Sequence, residues 1–182
     1  MVDNMKSQSK QLGKMYFTVA AILFGAQILF GLIAGTQFVY SGFLFELLDF
    51  NVARMVHINA LVVWLLYAMI GSVYYLLPDE TKIETVGIGL GKLGFYVLTL
   101  AVTVVVLVYI LLIHEGREYI EAPRWADIGI VVVVLIFLAN VYLTAIKGER
   151  TGIVTVLMAD LLALAGLYLA GMFYTNNISI DQ

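Results

Sequence analysis

Five apolar stretches, each about twenty residues long, dominate this chain and leave little besides the connectors between them. A helix of that length is what is needed to cross the roughly 30 Å hydrocarbon core of a bilayer at about 1.5 Å per residue. Inside lipid every backbone N–H and C=O must find a partner within the protein, so repeated segments of this kind imply α-helices. The stretches cover residues 15–35, 56–77, 93–113, 128–146 and 151–174. The second is expected to stop at Pro78-Asp79-Glu80, and the third follows a glycine-rich connector from Gly87 to Gly91. The fourth is expected to stop at Lys147-Gly148-Glu149-Arg150. The sequence therefore predicts an all-α integral membrane protein: one five-helix transmembrane bundle forming a single membrane domain over residues 1–182. It shows no internal repeat, low-complexity segment or soluble domain.

Composition excludes most other classes. The chain is 62% hydrophobic and 13% charged, against about half and a quarter in soluble domains. A net charge of -3 gives no electrostatic case for a nucleic-acid partner. The absence of cysteine removes disulfides, thiolate metal sites and cysteine catalysis. Sixteen glycines against two prolines suit closely packed membrane helices.

The basic residues set the expected orientation. With a cytoplasmic amino terminus, Lys6, Lys10, Lys14, Lys82, Lys92, Lys147 and Arg150 fall inside, and Arg54, Arg117 and Arg124 outside. That is the positive-inside bias, and with five spans it places the carboxyl terminus on the outer side. The polar lead from Asp3 to Lys14 could begin a signal peptide. The first span, however, is long for such a segment and lacks a small-residue cleavage site, so it is expected to be retained. The outer side then carries His57 and His114 with Glu46, Asp49, Glu115, Glu118 and Glu121, whereas the inner loops read as plain connectors.

The run Asn51-Val52-Ala53-Arg54-Met55-Val56-His57-Ile58-Asn59 is the most informative stretch. His57 lies about one turn inside the outer end of span two, and Arg54, three residues earlier, shares its helix face. The same face continues through Ala60, Trp64, Ala68 and Gly71, whose small members leave room for a flat ligand or a close neighbouring helix. A neutral imidazole can ligate heme iron, and an arginine one turn outward can pair with propionates. The alternative is a histidine bonded to a neighbouring helix beside a snorkelling arginine. Trp64 reads as a helix–helix contact, with a heme edge as the alternative. Tyr16, Tyr40, Tyr74, Tyr75, Tyr168 and Tyr174 read mostly as interfacial anchors or lipid-facing packing. Asp160 falls roughly 13 Å into span five, near the midplane, where a charge is costly and is expected to be protonated or paired. Tyr142, Thr144 and Ser or Thr groups on neighbouring helices or on a second chain are its candidate partners. It is either a proton-relay element from the cytoplasmic side or a neutral acid bonded for packing.

Asn51-Val52-Ala53-Arg54…His57…Asn59, then Val63-Trp64-Leu65-Leu66…Gly71…Tyr74-Tyr75-Leu76-Leu77-Pro78, resembles the large subunit of bacterial nitric oxide reductases, in the heme-copper oxidase superfamily. Gly116-Arg117-Glu118-Tyr119-Ile120-Glu121-Ala122-Pro123 and Ile128-Gly129-Ile130-Val131-Val132 extend the resemblance. Phe43-Leu44-Phe45-Glu46 and the segment from Asn140 to Lys147-Gly148 add to it, in family order along nearly the whole chain. The resemblance implies the amino-terminal portion of a heme-copper oxidase subunit I in a bacterial or archaeal cytoplasmic membrane.

Site by site, the resemblance implies that His57 is an axial ligand of low-spin heme b and that Arg54 lies near its propionates. Glu118 matches a glutamate associated with a propionate-bridging calcium ion, and Glu121 a glutamate on an outer-side proton route. Carboxylate oxygens are the ligands calcium prefers. The family's catalytic centre needs a non-heme metal with three histidines, a high-spin heme and a second axial ligand, whereas this sequence has two histidines in all. A second membrane chain carrying the remaining helices is therefore expected, with cytochrome c or quinol as outer-side electron donor. The alternatives are a small heme b electron carrier, closed by His57 and His114, and an accessory membrane subunit with no catalytic centre. The substrate is expected to be nitric oxide, with oxygen reduction or nitric oxide dismutation as alternatives.

Overall fold

The computed structural model describes residues 7–111 and 124–175. Five helices follow in order: α1 Gln8–Val39, α2 Phe50–Thr81, α3 Ile88–Ile110, α4 Arg124–Lys147 and α5 Gly152–Thr175. Each contains a stretch long and apolar enough to cross a membrane, and no strand occurs among the described residues. The near end of the bundle, where α1 begins, also holds the α2–α3 and α4–α5 connectors. The far end holds the α1–α2 connector.

Four helices begin before the expected spans: α3 takes in Ile88 to Gly91 of the expected glycine-rich connector, α4 starts at Arg124, and α1 and α2 overrun at both ends. The polar lead is part of α1, which starts at Gln8 behind Ser7, whose side chain accepts from the Lys10 N–H. Ser9, Lys10, Leu12 and Gly13 are buried on it, so this first turn and a half is bundle and not a tail. Nor does α2 stop at Pro78, which sits buried inside it. Proline removes one backbone donor, and the helix runs on to Thr81, whose hydroxyl bonds the Leu77 carbonyl at 2.8 Å. Lys82 then ends it in the left-handed region at φ 59, with its Nζ on the Asp79 carbonyl at 2.6 Å.

The antiparallel pair α1–α2 is the most extensive helix contact among the described residues. Glycines set its closeness. A Cβ built on Gly13 would lie 2.8 Å from the Gly71 carbonyl oxygen, and one on Gly71 would lie 3.0 Å from the Tyr16 Cβ. Small residues that let backbones approach in this way drive helix association in lipid, where no hydrophobic force acts between helices. Phe24 meets Trp64 edge-on at 5.1 Å farther along the same seam.

The core joins Leu12, Tyr16, Tyr67, Ile70, Tyr74 and Leu77 to Phe95 and Leu98 of α3, Phe137 and Val141 of α4, and Leu161 of α5. Tyr16 packs on Tyr67 at 5.4 Å and on Phe95 at 5.0 Å. Tyr16 and Tyr74 are each 1% exposed, so they are core side chains and not interfacial anchors. A phenol can be buried where its hydroxyl is served. Tyr67 bonds Thr99 Oγ1 at 2.9 Å, and Tyr74 donates to Asn140 Oδ1 at 2.8 Å.

Asn140 in turn donates to the Val86 and Gly87 carbonyls at 2.8 and 3.1 Å, while the Val86 N–H donates to Thr144 Oγ1 at 2.9 Å. The connector between α2 and α3 is thus held by α4. It is also held by α1, because Ser9 Oγ donates to Glu84 Oε2 at 2.7 Å and accepts from the Thr85 N–H at 3.1 Å. Buried Lys10 pairs with Asp79 at 2.8 Å. Thr151 donates to Glu80 at 3.0 Å, and the Glu149 N–H donates to the Thr81 carbonyl at 2.8 Å. The near-end connectors are a cross-linked cap and not plain links.

Glu84 reports on that cap. Partial burial would raise its carboxyl, but hydrogen bonds from Ser7 and Ser9 and the Lys10 charge outweigh it and hold the group below its ordinary value. A depressed native carboxylate stabilises the fold above its unfolded value and loses that contribution as pH falls through the native one. Thermal unfolding in detergent between pH 7 and pH values below about 4 is expected to show a steeper acid loss in the parent than in Glu84→Gln. Parallel curves would contradict this.

Candidate functional site

His57 is placed by two local features. Asp49 caps α2 by accepting from the Asn51 N–H at 2.7 Å, which starts the helix two turns before the histidine. On the facing helix, Gly31 vacates the space the ring uses: a Cβ there would lie 2.5 Å from His57 Nδ1. The ring is half-buried, with Nδ1 2.7 Å from the Gln27 carbonyl oxygen. A carbonyl can only accept, so Nδ1 donates. In the neutral ring Nε2 then carries the lone pair, and it has no partner among the described residues.

Arg54 lies one turn farther out, half-buried, on the expected face. Trp64 makes the helix–helix contact with Phe24, although its buried Nε1 has no hydrogen bond among the described residues. The small residues of this helix divide between two roles. Gly71 is used by α1. Ala60 instead lines, with Val56, Val63, Ala101 and Tyr109, an apolar cleft of about 70 Å³ between α2 and α3. His57 does not line that cleft.

Asp160 is exposed on α5. Its expected intrachain partners are engaged elsewhere: Tyr142 donates to the Met158 carbonyl, and Thr144 donates to the Asn140 carbonyl at 2.5 Å. Asp160 therefore has no polar partner among the described residues. His114, Arg117, Glu118 and Glu121 lie outside the described residues. No cluster of three or more metal-ligating side chains occurs among those described.

Sequence reasoning missed Gln27 and Gly31, which orient the histidine from the other helix. Only the α1–α2 register brings them there. It gave no role to Asn140, a lone asparagine in an apolar run, whose depth marked a bonding need without naming its partner.

Residues 11–181 match the family described as Cytochrome C and Quinol oxidase polypeptide I. The chain belongs to that family. It is also 42% identical over 193 aligned positions to a nitric oxide reductase subunit of Stutzerimonas stutzeri, a match covering 98% of this chain. The chain spans 41% of that relative's length, and it corresponds to the amino-terminal part of the heme-copper oxidase large subunit.

Membership implies heme cofactors in general, and the histidine fits such a group. Ligating histidines donate their other ring nitrogen to a carbonyl or carboxylate, which fixes the tautomer and raises ligand basicity; the His57–Gln27 contact has this form. The fit is for one axial position. Gly31→Ala is expected to destabilise the helix pair by about 1–3 kcal/mol through overpacking and to displace the ring from Gln27. Thermal unfolding, with absorption spectra of the purified membrane complex, checks both effects. A variant matching the parent in stability and spectrum would count against this packing.

Proposed function

We propose that this chain is the amino-terminal, non-catalytic portion of a split nitric-oxide-reductase-like oxidoreductase. The observation that carries the proposal is His57, whose Nδ1 is committed to Gln27 in a chain 42% identical to a nitric oxide reductase subunit. His57 would hold the iron of low-spin heme b through Nε2. Arg54, one turn outward, would neutralise the propionate end. When bound, the heme supplies one-electron redox chemistry toward a centre in a partner chain. The α1–α2 seam keeps the imidazole in one tautomer and one orientation, so the ligand needs no rearrangement as the oxidation state changes.

The partner would be a second membrane chain that carries the remaining helices, the high-spin heme and the non-heme metal. The far end would face outward, toward a cytochrome c or quinol donor, with the amino terminus in the cytoplasm. Glu118 would help hold calcium near the propionates, and Glu121 would lie on the proton route from the outer side. Asp160 is proposed for a proton route as well. Asp160→Asn with unchanged turnover and proton uptake would remove it from that role. The complex would reduce nitric oxide to nitrous oxide.

Native mass spectrometry of the tagged chain, purified in mild detergent from its own host, tests this proposal. The expected result is a second membrane chain with two hemes and non-heme iron, and loss of the low-spin heme spectrum in His57→Ala. A lone or homo-oligomeric chain with one heme each, abolished by His114→Ala, would instead establish a small electron carrier. Absence of heme would remove the ligand role from His57.

A further inference from the structure

Helix α5 is sparsely covered among the described residues, and its two sides differ. Val154 and Leu161 face the bundle and are buried. On the other side Ile153, Val156, Asp160, Ala163 and Leu167 are all exposed. Their spacing, three then four residues repeated, is that of the seam between two helices packed at a shallow angle. Apolar members of such a stripe are content against lipid. Asp160 is not, being eight residues beyond Gly152 and so about 12 Å along the helix axis. No other Asp, Glu, Lys or Arg among the described residues lies as far from a helix end. A carboxyl or carboxylate at that depth needs a hydrogen bond, and ionisable groups within spans face a protein interior and not hydrocarbon. Tyr142 and Thr144, the hydroxyls named as its candidate partners, are already spent on backbone carbonyls.

We propose that the stripe Ile153, Val156, Asp160, Ala163 and Leu167 is a docking seam for one transmembrane helix of the partner membrane chain, which donates a hydrogen bond to the Asp160 carboxyl. The proposal rests on the reading of this chain as part of a larger subunit, and it assigns the face on which the remainder packs. Ala163 lets the helices approach, and the apolar positions on either side exclude lipid from the polar contact. A single intramembrane polar pair of this kind fixes register, because sliding by one turn strands the carboxyl.

The test places p-benzoylphenylalanine at Val156, Ala163 or Leu167, with Leu162 as a control on another face, in the full chain expressed in its own host. Irradiation of native membranes is expected to join the three seam positions to one transmembrane segment of one other polypeptide. Peptide sequencing is expected to find a hydrogen-bond-donating side chain there at the depth of Asp160. Leu162 is expected to give lipid adducts. Asp160→Leu should cut the seam cross-links about tenfold, Asp160→Asn should retain them, and removing the partner's donor should repeat the loss. Cross-links in His57→Ala are expected to persist, so failure of the heme assignment and failure of the seam are separately visible. Cross-links to a second copy of this chain, lipid adducts at every position, or cross-links indifferent to Asp160→Leu would each overturn the proposal.

Discussion

The approach of α1 to α2 is the constraint on which the rest of the structure depends. Between Gly13 and Gly71 the two backbones come nearly into contact, and no side chain larger than hydrogen fits there. That contact sets the register of the whole hairpin. With it in place, Trp64 falls opposite Phe24 and His57 falls opposite Gln27 and Gly31. Shifting one helix by a residue would bring a side chain against the imidazole and withdraw the carbonyl. The geometry of the histidine is therefore decided some ten residues or more away along each helix, by glycines that touch no chemistry.

A second principle operates at the near end, where polar groups enter an apolar bundle and are matched one to another. Tyr74 is served by Asn140, Asn140 by the Val86 and Gly87 carbonyls, and Thr144 by the Val86 N–H. Unserved groups in such surroundings are costly. Gly87 has φ 74, and a Cβ there would meet Asn140 Nδ2 at 2.8 Å. The same requirement that makes these bonds compulsory sets Asp160 apart, because it is exposed at depth without a partner among the described residues.

The five spans, their order and the family were legible in the sequence, because length and apolar composition under the bilayer constraint admit few other structures. The helix face bearing Arg54, His57 and Trp64 was legible too, since spacing along one helix is arithmetic. Interhelix register was not, and so Gln27 and Gly31 stayed hidden. Tyr16 and Tyr74 are ambiguous in sequence because tyrosine suits both interfaces and cores, and only the packing partners, with Asn140 among them, decide for the core. Pro78 reads as a stop because proline costs a backbone donor, yet tertiary packing of Tyr74, Leu77 and Thr81 keeps the helix going. The near-end connectors look idle in sequence because their polar residues are matched by groups far along the chain.

Matching across such distances bears on how the protein is made. The Asn140 side chain that serves the Val86 carbonyl is synthesised 54 residues later. The first three spans can enter the membrane in turn, but Val86 and Gly87 at their near end lack these side-chain partners until the fourth arrives. Insertion of the helices and completion of the fold are therefore separate events in biosynthesis. The fourth helix is the piece that converts a set of inserted segments into a single body.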